Sequence, residues 1–310
     1  MPFPELAKIH DDMRSWRRHI HAHPETAFEE VLTSTFVADK LKEFGVDELH
    51  TQLAKTGVVA IIKGNIDSDR FIGLRADMDA LDLQELNSFS HCSTHDGKMH
   101  ACGHDGHTTM LLGAAHHLCQ NRNFAGKVCL IFQPAEENLG GARVMVEEGL
   151  FDQFPVQEVY GMHNWPGQEA GTFAVSEGPV MASFDSFDVT ITGKGGHAAM
   201  PHQAIDPIAI SSQVITAWQN IVSRQQDPLE CAVLSVTQIH AGDAYNVIPE
   251  SVEIKGTVRT FSSVEQDKIK NNMKMIGENI CAAFGAQFTM NYSYGYPSTV
   301  NCSKSAQTAK

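Results

Sequence analysis

The sequence predicts an α/β protein that carries a second, α+β module, because the hydrophobic pattern changes along the chain. Over residues 1–175, short apolar strands alternate with amphipathic helices, which is typical of a mixed, largely parallel sheet flanked by helices. Over residues 181–293, apolar and polar side chains alternate, which is typical of antiparallel strands with one face in solvent. The length of 310 residues, 42% of them hydrophobic, suffices for one large core or two smaller ones.

The first part of the chain contains apolar runs and a helix with a clear apolar face. KVCLIFQ, at residues 127–133, is ended by Pro134 and predicts a strand buried on both faces. Residues 105–119 predict a helix, since apolar side chains recur there at helical spacing. The other elements predicted here are strands at 72–79 and 159–162 and a helix at 142–148.

The second part has the pattern of a separate module. Residues 187–192 and 252–258 alternate between apolar and polar side chains and therefore predict strands. Two helices, each with one apolar face, are predicted around Trp218 and Met273. Two helices on one face of an antiparallel sheet form an α+β module, here at roughly residues 181–293.

Composition limits the possible partners and the compartment. The formal net charge of −14 repels a phosphate backbone, so we expect no nucleic acid partner. The N-terminus lacks the apolar segment of a signal peptide, and no apolar stretch reaches the length that spans a membrane. Seven cysteines at irregular spacing argue against a disulfide framework and for a reducing compartment. We therefore expect a soluble, cytoplasmic protein.

The segment MHACGHDGHTT, residues 99–109, carries the clearest chemical signal. Cys102 and His104 lie two residues apart in a glycine-containing turn just before the predicted helix. A thiolate and an imidazole at this spacing can point at one ion, and both are good ligands for borderline metals. The alternative interpretation is a buried cysteine beside histidines that cap a helix.

Acidic residues and a histidine follow the neighbouring strands. Glu136 and Glu137 follow the strand at 127–133, and His163 follows the next strand. Two aspartates, Asp77 and Asp79, end the strand before them. A solvated glutamate pair, a structural histidine and helix-capping aspartates are the alternative interpretations. Four strand ends or turns in succession carry such groups, however, and in a parallel sheet these positions gather at one edge, where ligands bind.

Seven motifs occur in a fixed order along nearly the whole chain. They are RADMDAL, GKMHACGHDGHT, FQPAEE, MHNWPG, GKGGHAAMPH, NVIPE and GTVRTF. In this order they resemble the M20 family of metallopeptidases. The match is to its amidohydrolase branch, which includes hippurate hydrolases, auxin-conjugate hydrolases and N-acetyl-diaminopimelate deacetylases. The resemblance implies a metal-dependent hydrolase that cuts the amide bond of a small N-acyl amino acid.

The resemblance also implies roles for the residues at the strand ends. Two divalent metal ions, of Zn, Mn, Co or Ni, are expected to be bound by Cys102, His104, Glu137 and His163. Glu136 is expected to be the general acid/base. Asp77 and Asp79 are expected to support the metal ligands without binding the ions themselves.

Members of this family carry a lid domain inserted in the catalytic domain. The change of pattern then implies a catalytic domain at 1–180, a lid at 181–293 with a four-stranded antiparallel sheet and two helices, and a return to the catalytic domain at 294–310. The lid is expected to form a homodimer. An exposed edge strand, which can pair with another chain, agrees with this.

Three residues of the second part match positions that contact substrate in the family. His197 matches a histidine that polarises the substrate carbonyl, often across a dimer, and Asn246 and Arg259 match positions that hold the substrate's carboxylate. The alternatives are a mobile histidine in a glycine-rich loop and an arginine that forms a cross-strand salt bridge.

The end of the chain departs from the family pattern. The family has a further metal-binding histidine near its C-terminus, whereas no histidine follows His240 here. Residues 298–310 predict the first turns of a helix, with Ser298 or Asn301 as N-cap, and no stop signal follows. We therefore expect a truncated piece of a longer protein, with a genuinely short gene product as the alternative. A dipeptide exopeptidase of the same fold, a metal-binding scaffold without catalysis and a thiol-redox protein remain alternative functions.

Overall fold

The computed structural model describes residues 7–310, which form two compact units. The first unit ends at Thr172 and the second begins at Phe173. Within the described part of the chain, no helix is both long and apolar enough to cross a membrane.

The first unit is a five-stranded sheet with helices packed on it. Its strands are β1 (Glu48–Leu53), β2 (Gly57–Lys63), β3 (Ile66–Asp77), β4 (Ala125–Gln133) and β5 (Glu158–Gly161). Its helices are α1 (His10–Ala22), α2 (Val31–Phe44), α3 (His104–Gln120), α4 (Gly141–Glu147) and α5 (Leu150–Gln153). The sheet order is β1-β2-β4-β3-β5, in which β3 runs parallel to β4 and to β5, while β1/β2 and β2/β4 are antiparallel. The predicted mixed sheet flanked by helices is confirmed.

The central strands are apolar throughout because both faces of this sheet are buried. In β2, GVVAIIK, every residue except the final lysine is buried. Val58 and Ile62 join a core cluster with side chains of α1, α2 and α3. Val59 and Ile61 join a second cluster on the opposite face, with side chains of α4 and α5. Each such side chain, fully buried, contributes about 1.5–3 kcal/mol.

The second unit is a four-stranded antiparallel sheet with two long helices. In chain order its elements are β6 (Gly178–Met181), β7 (Asp185–Thr192), β8 (Gly196–His197), a short 3₁₀ helix (Pro201–Gln203), α6 (Pro207–Arg224), β9 (Ala232–His240), β10 (Val247–Ile248), β11 (Ser251–Thr260), α7 (Ser263–Ala283), β12 (Gln287–Tyr294), β13 (Thr299–Asn301) and α8 (Ser303–Ala309). The large sheet has the order β12-β7-β11-β9. Two small sheets pair β8 with β10 and β6 with β13.

The core of the second unit lies between this sheet and α6 and α7. Alternate residues of β7 and β11 point into it, as the period-two pattern predicts. Trp218 of α6 is completely buried, and its indole N–H donates to the carbonyl of Met273 in α7 at 3.0 Å. The four-stranded sheet with two helices that the resemblance implied is therefore confirmed.

The end of the chain differs in detail from the prediction. Helix α8 begins at Ser303, and its N-cap position is Cys302. The side chain of Ser298 instead donates to the carbonyl of Phe261, and that of Asn301 donates to the carbonyl of Ser176. The predicted caps are wrong because these polar side chains hold the end of the chain to the rest of the unit.

Candidate metal centre

The candidate site lies where three strands of the first unit end. Strand β3 ends at Asp77, opposite the last residue of β4, Gln133. The loop after β4 carries Glu136, and the loop after β5 carries His163. Since β3, β4 and β5 run parallel, their carboxyl ends meet at one edge of the sheet, as predicted.

The turn before α3 requires glycine. Gly103 has φ +93°, a backbone conformation that is strongly unfavourable for any residue with a Cβ atom. A Cβ atom there would also lie 2.1 Å from Oδ1 of Asn164. The CGH spacing therefore brings Cys102 on one side of the glycine and His104 on the other to the same edge of the sheet.

Cys102, His104 and His163 form a cluster suited to a metal ion. Their Sγ and ring nitrogen atoms all lie within 4.8 Å of one another, and Cys102 Sγ is 3.4 Å from Nε2 of His163. The Nδ1 atom of His163 lies 2.7 Å from the carbonyl oxygen of Asn164 and can donate to it. This contact leaves Nε2 of His163 as the atom available to a metal.

His104 is completely buried and is held by Asp79. Its Nδ1 lies 2.8 Å from the carbonyl oxygen of Asp79 and 3.2 Å from the carboxylate Oδ1 of the same residue. Its Nε2 lies 3.6 Å from Asp77 Oδ2 and 3.8 Å from Glu137 Oε1. Burial lowers the pKa of His104, but the hydrogen bond to Asp79, the proximity of Cys102 and the charge of Asp77 outweigh it and raise that pKa to about 11.

Two buried atoms at this point lack the partners that buried polar atoms need. Within the described part of the chain, His104 Nε2 and Glu137 Oε1 have no hydrogen-bond partner. Unpartnered buried polar atoms are rare in folded proteins and call for an unseen partner. With Cys102 and His163 they form a sulfur, nitrogen and oxygen donor set that suits a borderline divalent metal. The residues therefore fit a metal ion.

Glu136 adjoins these donors. It forms a second compact group with His104 and Glu137, in which the ligand atoms again lie within 4.8 Å. Burial, more than the neighbouring carboxylates, raises the pKa of Glu136. A half-buried carboxylate with a raised pKa is suited to accept a proton and return it.

Asp77 is buried and has a polar partner on each of two sides. Its carboxylate lies 2.6 Å from Nδ1 of His107 and accepts a hydrogen bond from Arg75 at 2.7 Å. Burial opposes ionisation, but these partners hold the pKa of Asp77 well below its usual value. Asp77 is thus an ionised group at the centre of the site.

His107 is the site residue that the sequence reasoning did not single out. Its Nδ1 faces Asp77, and its Nε2 accepts the backbone N–H of Asn164 at 3.0 Å. The signal was present, because His107 lies three residues after His104 and therefore on the same face of α3. Asp77, His104 and His107 form a third group of closely spaced ligand atoms.

The predicted substrate residues lie in the second unit. His197 and Asn246 are exposed and line one shallow pocket, where β8 pairs with β10. The Asn246 carbonyl also accepts the backbone N–H of Ala198 at 3.0 Å. Arg259 does not line that pocket. Its guanidinium lies 4.2 Å from the centre of the Phe184 ring and donates to Thr257.

Comparison with known proteins agrees with this geometry. A family model described as peptidase family M20/M25/M40 matches residues 73–310. The chain is 48% identical to an N-acyl-L-amino acid amidohydrolase of Geobacillus stearothermophilus over 296 residues, which cover 95% of this chain and 79% of that protein. It is 44% identical to a hippurate hydrolase of Campylobacter jejuni over 299 residues, which cover 96% of this chain and 77% of that protein.

A solved structure shows the same fold. It is the Bacillus subtilis YXEP protein, described as a dinuclear metal binding peptidase from the M20 family. The TM-score is 0.84 at 39% sequence identity, and the match covers 98% of this chain and 79% of that one. The chain therefore belongs to peptidase family M20/M25/M40. It is a metal-dependent hydrolase, and the family resemblance predicted from its motifs is confirmed.

Proposed function

We propose that the protein hydrolyses the amide bond of N-acyl amino acids at the metal centre of its first unit. The observation that carries the proposal is the pair of buried, unpartnered atoms, His104 Nε2 and Glu137 Oε1, beside the half-buried carboxylate of Glu136. The relatives named as an N-acyl-L-amino acid amidohydrolase and a hippurate hydrolase support the substrate class.

The ligands in this proposal bind two divalent ions. They are Cys102, His104, Glu137 and His163, and the dinuclear relative supports the number of ions. Zn, Mn, Co and Ni all accept such a mixed set of sulfur, nitrogen and oxygen donors. A divalent metal here supplies Lewis acidity, which polarises an amide carbonyl and makes water more acidic.

Glu136 moves the proton in the proposed reaction. Its carboxylate takes a proton from the attacking water and later returns it to the nitrogen of the leaving amine. The raised pKa that burial produces suits this exchange, because the group must hold the proton for part of the cycle. Asp79 and Asp77 face the Nδ1 atoms of His104 and His107 and so fix the orientation of these two rings.

The second unit supplies the substrate contacts in this proposal, as the lid of residues 181–293. His197 polarises the carbonyl of the scissile amide, an oxyanion-stabilising role that typically contributes about 3–4 kcal/mol. Asn246 and Arg259 bind the substrate's carboxylate. The exposure of His197 and Asn246 and the pocket that they share support the roles of these two residues. Arg259 stacks on Phe184, so its role requires that the substrate's carboxylate reach the guanidinium in that position.

We also propose that this unit forms a homodimer. Strands β9 and β12 are the edges of its sheet, and most of β9 beyond Leu234 is exposed. Exposed edges pair readily with a second chain. Gel filtration of the metal-loaded chain at the mass of a monomer would contradict the dimer.

The test is amine release by the metal-loaded chain from hippurate, from N-acetyl amino acids and from dipeptides. We expect release from the acyl amino acids, and we expect Glu136→Gln to abolish it while metal content stays close to that of the parent. Glu169→Gln, at an exposed position, is the matched control and keeps full activity. Loss of bound metal in Glu136→Gln would show that Glu136 is a ligand. Faster cleavage of dipeptides than of acyl amino acids would overturn the substrate class.

A further inference from the structure

Glu30 is a buried carboxyl group outside the metal centre, and the proposed reaction does not use it. It immediately precedes α2, and none of its surface is exposed. Burial raises the pKa of this carboxyl group. Burying a carboxyl group is unfavourable unless hydrogen bonds satisfy its oxygen atoms. Its partners therefore indicate what the buried group does.

The two oxygen atoms of Glu30 join three separate parts of the first unit. One accepts the backbone N–H of Ala135 at 2.8 Å, in the loop after β4. The other accepts the hydroxyl of Thr56 at 2.6 Å, just before β2. Glu30 thus ties the start of α2 and the turn before β2 to the residue that precedes Glu136.

Ala135 adopts a backbone conformation that non-glycine residues avoid. Its φ is +52°, in the left-handed region, which disfavours an alanine by roughly 1–2 kcal/mol. Its carbonyl accepts the N–H of Gly141 at 3.0 Å, and a Cβ atom on Gly141 would lie 1.8 Å from the carbonyl oxygen of Pro134. A strained residue persists only where its surroundings hold it, and here its N–H is held by Glu30.

The backbone on the other side of Glu136 is held in the same way. The N–H of Glu137 donates to Asp79 Oδ2 at 2.9 Å. Buried carboxyl groups therefore hold the residue before Glu136 and the residue after it. These two contacts set the direction in which the side chain of Glu136 points from the backbone.

We propose that Glu30 is a positioning residue for amide hydrolysis, which keeps Ala135 in its left-handed conformation and so aims Glu136 at the substrate. This inference rests on the proposed function, because Glu136 is the proton carrier there. Glu30 itself touches no reacting atom. Its loss should therefore change the rate of the chemical step more than substrate binding or metal content.

Two variants at this position separate the hydrogen bond from packing. Glu30→Met keeps the side-chain length and lacks any acceptor, and we expect kcat to fall on the order of 10-fold to 100-fold, with KM and metal content close to the parent. Glu30→Gln keeps an oxygen for Ala135 and an amide that can donate to Thr56, and we expect it to restore most of kcat. Wild-type kcat in Glu30→Met, or a Glu30→Gln variant as slow as Glu30→Met, would overturn the proposal.

Thr56→Val is the control for general destabilisation. It removes the hydroxyl bound to the second oxygen of Glu30 and leaves the contact with Ala135 in place. We expect a lower melting temperature with kcat near the parent value. A kcat that falls in step with melting temperature across all three variants would make Glu30 a merely structural residue.

Amide hydrogen exchange tests the hydrogen bond between Glu30 and Ala135 in the absence of substrate and metal. We expect the Ala135 amide to exchange faster in Glu30→Met than in the parent, while Leu130 in β4 keeps its protection. Unchanged exchange at Ala135 would overturn the positioning role. If the parent chain cleaves no acyl amino acid, the proposed function fails, and exchange at Ala135 alone then decides whether Glu30 holds this loop.

Discussion

Asp79 holds two predicted metal ligands at once. Its carbonyl and Oδ1 face the Nδ1 atom of His104, while Oδ2 accepts the backbone N–H of Glu137. The residue is buried, so no water competes for these contacts. A single carboxylate therefore sets both the ring orientation of one ligand and the backbone of the other.

We expect Asp79→Asn to weaken metal binding by roughly 10-fold to 100-fold, as removal of a group that orients metal ligands typically does. An amide cannot accept from both His104 and Glu137, since one of its two ends is a donor. Competition with a chelating dye would measure the change. Asp82→Asn, an exposed position that pairs only loosely with Lys98 at 3.6 Å, should bind metal as the parent does. Equal affinity in both variants would contradict the role of Asp79.

At the scale of elements, one buried carboxylate holds three parts of the second unit together. Asp185 begins β7 and accepts two contacts from the amide of Gln266 in α7, at 2.7 and 2.8 Å. It also accepts the hydroxyl of Tyr292 in β12 at 2.6 Å and the N–H of Gly295 at 3.2 Å. Its surface is fully buried. Removal of the carboxylate would take the acceptor away from the partly buried side chains of Gln266 and Tyr292.

We expect Asp185→Ala to lower the free energy of unfolding by about 3 kcal/mol, since a hydrogen bond to a charged group contributes about 1.5–3 kcal/mol. Urea unfolding followed by the fluorescence of buried Trp218 would measure it. The matched control is Asp188→Ala on the same strand, whose exposed ion pair with Lys255 should contribute less than about 1 kcal/mol. Similar losses in the two variants would show that the buried network contributes nothing beyond an exposed pair.

The local pattern of apolar and polar residues predicted the strands in which buried side chains are continuous or alternate regularly. The apolar run of β4 and the alternation in β7 and β11 correspond to strands in the structure. Helix α1, HDDMRSWRRHIHA, was not predicted, because it is mostly polar and only three of its side chains are buried. Composition alone does not distinguish such a helix from a polar loop.

The contacts within the site depend on pairs of residues far apart in sequence. Motif order predicted that Cys102, His104 and Glu136 lie at one edge of the sheet, and the structure agrees. It could not reveal that His107 faces Asn164, 57 residues further on, or that Glu30 holds Ala135 across 105 residues. It also could not predict that Arg259 stacks on Phe184. Such pairings arise from tertiary packing, which leaves no periodic signal in either segment.

At the scale of the whole molecule, metal binding should stabilise the fold. We expect an ion present at 100 times its dissociation constant to raise the free energy of unfolding by about 2.7 kcal/mol at pH 7.5. Thermal unfolding with and without metal measures the difference. In Glu137→Gln, which loses a charged oxygen ligand, most of that difference should disappear. An undiminished difference in this variant would place the ion elsewhere.

The increase in the free energy of unfolding that metal binding produces should become smaller as the pH falls. The pKa of His104 is about 11 without metal, so an ion must displace a proton from this ring. The dissociation constant of the ion therefore rises about tenfold for each unit by which the pH falls. The raised pKa also stabilises the metal-free fold fully below about pH 6.5, and this contribution is lost as pH rises toward 11. Because the proton and the ion compete for this ring, the gain from metal is smaller at pH 5.5 than at pH 7.5. A constant gain from pH 5.5 to 7.5 would contradict proton displacement.

The pairing of β6 with β13 has a consequence for engineering. Residues 178–181 and 299–301 lie side by side as antiparallel strands, although well over a hundred residues separate them in sequence. The chain therefore enters and leaves this part of the second unit at adjacent points. A segment with adjacent ends and its own core can be transplanted as a cassette, because a host protein need only offer two neighbouring attachment points on its surface.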